Sequence, residues 1–250
     1  MNKELITQRF AKRLETYNDN ARIQKQMAEK LISLLQGRVY ENVLEIGCGT
    51  GILTNIAMQT FRFQNYYAND IVENCRKYIE KINPNIKFTA GDIETVQTDE
   101  LKYDLIISNA AFQWIEDLEN LIHNLVNKLN KDGILLFSTF GQENFREISF
   151  VQGKKLNYYS AKNIREIFHQ YSPIVEEEIR IMAFRTPLDV LKHIQLTGVN
   201  SIEATFWTKK DFADFEKSYN NCCSNHPTLT YNPIYVKIEK SSCANDGDLC

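Results

Sequence analysis

Residues 45–51 read Glu-Ile-Gly-Cys-Gly-Thr-Gly, directly after the apolar run Asn42–Ile46 and before a helical pattern over Ile52–Thr60. Few features constrain a chain more. Glycines at 47 and 49 permit a tight turn and close backbone approach. A helix opening just beyond them offers free N–H groups and the positive end of its dipole to a bound group. A buried strand, a glycine turn and a helix in that order open an α/β unit rather than a bundle or a sandwich.

The chain that follows keeps the alternation. Apolar runs predict strands at Tyr66–Asn69, Ile86–Ala90, Tyr103–Ser108 and Ile134–Thr139, with helices at Ile52–Thr60, Val72–Lys81 and Leu118–Leu129. That order predicts a doubly wound, mostly parallel sheet with helices on both faces. In such sheets the binding site lies beyond the carboxyl ends of the strands, where the strand order reverses. Residues 3–36 read as N-terminal helices broken near Asn18-Asp19-Asn20 and stopped at Gly37. After Gly141 the pattern changes: residues 142–157 read as a loop or cap, Ala161–Tyr171 as a helix, Ile174–Phe184 as a strand. Helices at Leu188–Leu196 and Asp211–Tyr219 and a last strand at Leu229–Glu239 complete the reading. Pro233 in that strand points to an edge or bulge. The organisation is then one domain over 1–240, with N-terminal helices at 1–36, a binding core at 42–141 and cap elements at 142–158 and 185–228. The tail 241–250 lacks periodicity and reads as disordered.

Composition closes off several classes. Twenty-nine basic residues against 32 acidic give a net charge of −3, which disfavours general nucleic-acid binding. No run of 18 apolar residues exists, and the N-terminus lacks the apolar centre of a secretion signal, so the reading is a soluble, cytoplasmic protein. The six cysteines have no zinc-ligand spacing and read as free thiols in a reducing compartment, with no metal site expected.

The glycine spacing is G-x-G-x-G, one residue shorter than the dinucleotide fingerprint G-x-G-x-x-G. With Glu45 before it, the segment resembles motif I of the class I S-adenosylmethionine-dependent methyltransferases, which implies a seven-stranded Rossmann-like sheet. In that family the loop approaches the methionyl part of the cofactor, which draws Glu45, Gly47, Cys48 and Gly49 into the expected site. Asp70 ends the next strand 19 residues past Gly51, where a carboxylate can accept both ribose hydroxyls. Ile71 follows it. By the same resemblance, Asp92 meets the adenine amino group and Ile93 the ring. Asn109, on the exit from Tyr103–Ser108, completes the expected cofactor set. Lys131-Asp132-Gly133 matches the turn before the family's fifth strand.

The flanks narrow the resemblance. Arg9-Phe10-Ala11 with Tyr17, Ala21 and Gln24 is similar to the N-terminal helix of the malonyl-acyl-carrier-protein O-methyltransferases of biotin synthesis. So are Trp114, Thr139-Phe140-Gly141 with Asn144, Arg146 and Glu147, the segment Thr197-Gly198-Val199-Asn200, and Leu229–Tyr235. The resemblance implies that the free carboxylate of malonyl-acyl carrier protein displaces the sulfonium methyl group. That carboxylate is already ionised, so no general base is required. Arg146 is the expected holder of the carboxylate, since its fork suits a bidentate contact. Tyr17 is expected to close over the methionyl end or the acceptor. Basic residues across 142–165 (Arg146, Lys154, Lys155, Lys162, Arg165) are expected to face the acidic carrier. A monomer is expected. The alternatives are a methyltransferase for another small acceptor and a non-catalytic S-adenosylmethionine-binding module.

Overall fold

The computed structural model describes residues 3–35, 37, 39–96, 101–153, 158–197, 208–224 and 226–240. Three helices come first: α1 (Lys3–Ala11), α2 (Leu14–Asn20) and α3 (Arg22–Ser33). The breaks fall at 12–13 and at Ala21, so the segment divides into three pieces rather than two. In α3, Ile23, Met27, Ala28, Leu31 and Ile32 are buried, a stripe repeating every three to five residues. The first helix buries nothing fully.

The α/β alternation then runs β1 (Val39–Ile46), α4 (Ile52–Thr60), β2 (Arg62–Asp70), α5 (Arg76–Ile82), β3 (Lys87–Ala90), β4 (Tyr103–Asn109), α6 (Leu118–Asn127) and β5 (Leu129–Phe140). Short 3₁₀ turns at Glu73–Cys75 and Phe112–Trp114 precede α5 and α6. The remainder is α7 (Arg146–Gln152), α8 (Ala161–Ile167), β6 (Ile174–Glu177), β7 (Arg180–Ala183), α9 (Pro187–Leu196), α10 (Lys209–Cys222), β8 (Thr228–Tyr231) and β9 (Pro233–Glu239).

Seven strands form one sheet in the order β3-β2-β1-β4-β5-β9-β6. All neighbours from β3 to β5 are parallel, and β9 runs antiparallel to both of its neighbours. Successive residues of a strand point to opposite faces. Val43, Leu105, Ile107, Ile134 and Leu136 therefore enter one core with α3 and α4. Leu44, Ile106, Leu135 and Phe137 enter the other, against Leu121, Ile122 and Leu125 of α6 and Ile164 of α8. Burying one such side chain contributes roughly 1.5–3 kcal/mol.

Two expected strands are each divided. Leu229–Glu239 splits at Asn232, whose carbonyl accepts the Gly141 N–H at 2.8 Å while its amide donates to Glu177 Oε1 and the Glu178 carbonyl. The segment Ile174–Phe184 splits at the facing residues Glu178 and Ile179. Its second half pairs with β8 in a separate two-stranded sheet. Pro233 is not on an edge: it is the first residue of an interior strand, a position where its missing N–H does least harm. The stretch read as a loop at 142–157 contains α7, which packs with α10 and β8. Among the described helices none is long and apolar enough to cross a membrane. The described cysteines 48, 75, 222 and 223 are free.

Candidate active site

The strand order reverses at β1 and β4, and the carboxyl ends of β1, β2, β3 and β4 finish level with one another. Ile46 pairs with Asn69 and with Ser108, and Asp70 pairs with Ala90. One cavity opens along this edge. It is roofed by α1 and α2 and closed on the cap side by Phe140 and Thr197.

The glycine turn forms its floor. Gly47, Gly49 and Gly51 have φ of 69°, 53° and 82°, in the left-handed region that other residues enter at a cost. Space is as restrictive as angle at Gly47, where a Cβ would lie 2.4 Å from that of Ala111. The Asn69 carbonyl accepts the N–H groups of Gly47 and Cys48 at 2.8 and 3.0 Å, which presses the turn onto the end of β2.

Every cofactor residue expected from the sequence lines this cavity: Glu45, Gly47, Cys48, Gly49, Asp70, Ile71, Asp92, Ile93 and Asn109. Their local partners refine what each can do. Asp70 accepts the Gly49 N–H on Oδ2 and the Val72 N–H on Oδ1, both at 2.8 Å. It shapes the turn as well as facing the cavity. Burial raises its pKa, and the two backbone bonds oppose that rise. Asn109 is committed on both sides of its amide: it donates to the Gln24 carbonyl at 3.0 Å and accepts from Ser138 Oγ at 2.7 Å. Its role is to tie α3 to β4 and β5 beside the cavity. Cys48 is buried, and desolvation holds its thiol protonated.

Glu45 is 1% exposed. Its Oε2 accepts from Thr54 Oγ1 at 2.7 Å and from the Tyr66 hydroxyl at 2.6 Å. Its Oε1 has no hydrogen-bond partner among the described residues, and neither have Gln24 Oε1 and Gln113 Oε1, which line the same cavity. Desolvation pushes the Glu45 pKa up to about 7, against the pull of its two hydroxyl donors.

Of the roof, α1 was not legible as a site. Lys3, Ile6, Thr7 and Phe10 all line the cavity, at spacing i, i+3, i+4 and i+7 on one face of α1. Phe10 rests on the glycine turn, its Cζ 3.3 Å from where a Gly49 Cβ would stand, and meets Tyr17 edge-on at 5.1 Å between ring centroids. Tyr17 faces the cavity as expected, and desolvation raises its hydroxyl pKa, with Asp70 adding to the rise. Lys3 reaches down to Asp92 Oδ2 at 2.6 Å and also pairs with Glu94.

Arg146 is a correction. The structure places it at the start of α7, half exposed, with Glu143 at 3.9 Å and Glu147 at 3.8 Å, and it does not line the cavity. The fifth strand ends in Phe140, which does face the site. The 141–145 turn then carries Arg146 away, because its N–H groups are bound by Asn232 and Thr230 rather than by the sheet edge. Trp114 lines the cavity. Lys154, Lys155, Gly198–Asn200, Trp207 and the tail 241–250 lie outside the described residues.

The sheet order and the glycine turn define a class I methyltransferase fold, and the comparisons agree. A model described as a methyltransferase domain matches residues 17–172. A malonyl-acyl-carrier-protein O-methyltransferase of Calditerrivibrio nitroreducens is 38% identical over 238 residues, covering 93% of this chain and 95% of that one. One from Chlorobium luteolum is 34% identical over 251 residues, covering 95% of each. A methyltransferase of Bacillus halodurans superposes with a TM-score of 0.63 at 13% identity, over 87% of this chain and all of that one. The N-methyltransferase NodS of Bradyrhizobium japonicum, solved with S-adenosyl-L-homocysteine, gives 0.54 at 16% identity over 94% and 98%. The chain belongs to the malonyl-acyl-carrier-protein O-methyltransferase family.

Proposed function

We propose that this protein binds S-adenosylmethionine in the cavity and methylates the free carboxylate of malonyl-acyl carrier protein. The observation that carries the cofactor half is the set of buried acceptors without partners among the described residues, Gln24 Oε1, Glu45 Oε1 and Gln113 Oε1. Unpaired buried acceptors are costly, and an ammonium group supplies N–H donors for them. They fit the amino-acid end of that cofactor. At the opposite end, Asp92, Ile71 and Ile93 would frame the adenine, and Asp70 retains lone pairs for ribose hydroxyls. When bound, the cofactor supplies an electrophilic methyl group. The acceptor half rests on the near full-length kinship with relatives of that name.

The chain's own work is then positioning and exclusion of water. Phe10, Tyr17, Trp114 and Phe140 line the cavity with rings, and α1 covers it. A carboxylate entering that site sheds water, which strengthens its attraction to a cationic centre. A malonyl carboxylate is ionised at neutral pH, so no side chain has to remove a proton. Mass spectrometry of malonyl-acyl carrier protein after incubation with S-adenosylmethionine tests the reading. A gain of one CH₂ supports it, and an unchanged mass beside demonstrable cofactor binding overturns the acceptor assignment.

A further inference from the structure

Behind the cap-side wall of the cavity lies a group of buried hydroxyls that the cofactor reading does not use. Tyr231 is fully buried, and its hydroxyl lies 2.7 Å from His193 Nε2. It is also within reach of Thr197 and close enough to Tyr17 and Tyr158 to feel their charge state. Thr197, 2% exposed at the end of α9, lines the cavity; its hydroxyl is held at the His193 and Ile194 carbonyls, 3.1 and 3.2 Å away. Tyr17 lines the cavity as well. Phe140, part of the same wall, packs on Tyr231 with centroids 6.0 Å apart.

The only cationic side chain among the described lining residues is Lys3, which is held by Asp92 and Glu94 on the far side. Every ionisable group of the hydroxyl cluster is held neutral. Desolvation lowers the His193 pKa, and it raises those of Tyr17 and Tyr231 and lifts that of Tyr158 to about 12.

We propose that this wall is the acceptor's carboxylate subsite: Tyr17 presents a neutral hydroxyl to the anion, Thr197 joins it by turning its hydroxyl proton away from the His193 and Ile194 carbonyls, and Tyr231, held by His193, is the positioning residue behind them. The inference rests on the reading of a carboxylate acceptor and replaces a cationic holder with neutral donors. The physical reason is differential binding. An Arg–carboxylate contact adds a full opposite charge and is frequently bidentate, so it holds the anion more strongly than a single bond from a neutral hydroxyl. It would stabilise the ionised acceptor most before reaction, when its charge is undispersed, and so oppose methyl transfer. Neutral hydroxyls orient the anion with less of that penalty.

The test uses a small malonyl thioester as acceptor. Thr197→Val and Tyr231→Phe are each expected to raise its KM about tenfold, as loss of one hydrogen bond of about 1.4 kcal/mol implies. Cofactor Kd should stay near wild type. His193→Ala should act like Tyr231→Phe, and His193→Gln, whose amide offers both a donor and an acceptor near Nε2, should recover most of the loss. A merely structural pair would instead lower the melting temperature and the cofactor affinity together. A second readout needs no turnover: the thioester should raise the melting temperature of wild type saturated with S-adenosylhomocysteine, and do so less in Thr197→Val. If wild type methylates the thioester while both hydroxyl variants keep its KM within twofold, the subsite is refuted and the function stands. If wild type forms no methyl ester, the acceptor reading fails. The melting shift still judges the subsite in that case, and an unshifted wild type overturns it.

Discussion

Gly49 donates its backbone N–H to Asp70 Oδ2 at 2.8 Å, so the carboxylate at the end of one strand fixes the turn at the end of its neighbour. The same carboxylate caps Val72 and faces the cavity. Asp70→Ala is therefore expected to remove the proposed ribose contact and to loosen the glycine turn together. A lost hydrogen bond to a buried charged group costs roughly 1.5–3 kcal/mol, or about tenfold to over a hundredfold in affinity. Calorimetry with S-adenosylmethionine reads this directly, and wild-type affinity in the variant would remove Asp70 from the site.

If Glu45 meets the cofactor's ammonium group as proposed, binding is expected to depend on pH. Its pKa is raised by burial from 4.5 to about 7. Between those values the folded protein keeps a proton that the unfolded chain has released. The ligand-free protein therefore loses stability as pH rises through that window, by roughly 3 kcal/mol in all. Glu45→Gln should flatten that slope in denaturant titrations at pH 5 and 8. A cationic group at Oε1 favours the ionised acid, so binding near pH 6.5 should release a proton and tighten as pH rises. Calorimetry in two buffers of different ionisation enthalpy measures the release. No release in wild type would place the ammonium elsewhere.

Gly47 is closed to any side chain. Alanine there must hold a φ of 69° and push its Cβ to within 2.4 Å of Ala111. The left-handed backbone costs roughly 1–2 kcal/mol, and overpacking typically adds about 1–3. In a chain this size that lowers the melting temperature by about 5–15 °C. Thermal unfolding of Gly47→Ala is the measurement, and a shift under about 2 °C would mean the turn relaxes freely.

What the sequence disclosed followed from periodicity and covalent geometry. The helix at Ile52–Thr60 is found with the expected ends, and the glycine turn, Asp70 and Asp92 meet at one sheet edge because parallel strands finish level. What it hid were long-range choices. Lys3, Ile6, Thr7 and Phe10 repeat with helical spacing, but that pattern marks an inward face without saying whether it meets a core or a cavity. Arg146 follows the fifth strand closely in sequence, and only the bonds from 141–145 to Thr230 and Asn232 show that the chain has turned away. Thr197 and Tyr231 reach the same wall from elements 34 residues apart, which no local pattern reports.

The roof is held lightly. The first helix has no fully buried residue, and its Lys3 is tied to Asp92 and Glu94 at partial exposure. Glu94 also accepts the N–H groups of Glu116 and Asp117, at 3.1 and 2.9 Å, so it is a fixed post. Lys3→Ala should speed cofactor dissociation about threefold to tenfold, in keeping with a partly exposed pair worth about 1 kcal/mol. Stopped-flow displacement of bound cofactor reads the rate. High salt should bring wild type towards the variant. Equal off-rates at low salt would show that the roof opens without breaking this pair.

The surface position of Arg146 separates two roles that its sequence neighbourhood had merged. It is 51% exposed and Lys162 is 81% exposed, both outside the cavity. Neither can orient a carboxylate bound inside, yet both remain available to an acidic carrier protein approaching the cap. Arg146→Ala should therefore leave cofactor Kd and the KM of a small malonyl thioester within twofold of wild type. Charge reversal of both, Arg146→Glu with Lys162→Glu, should raise the KM for malonyl-acyl carrier protein several-fold. Such rim charges act chiefly on encounter rate. Added salt should weaken the carrier reaction of wild type and leave that of the double variant nearly level, since the Debye length falls to about 8 Å at physiological ionic strength. The comparison is internal, because carrier and small thioester share the same reacting carboxylate. A double variant that handles both substrates as wild type does would move the docking surface away from this part of the cap.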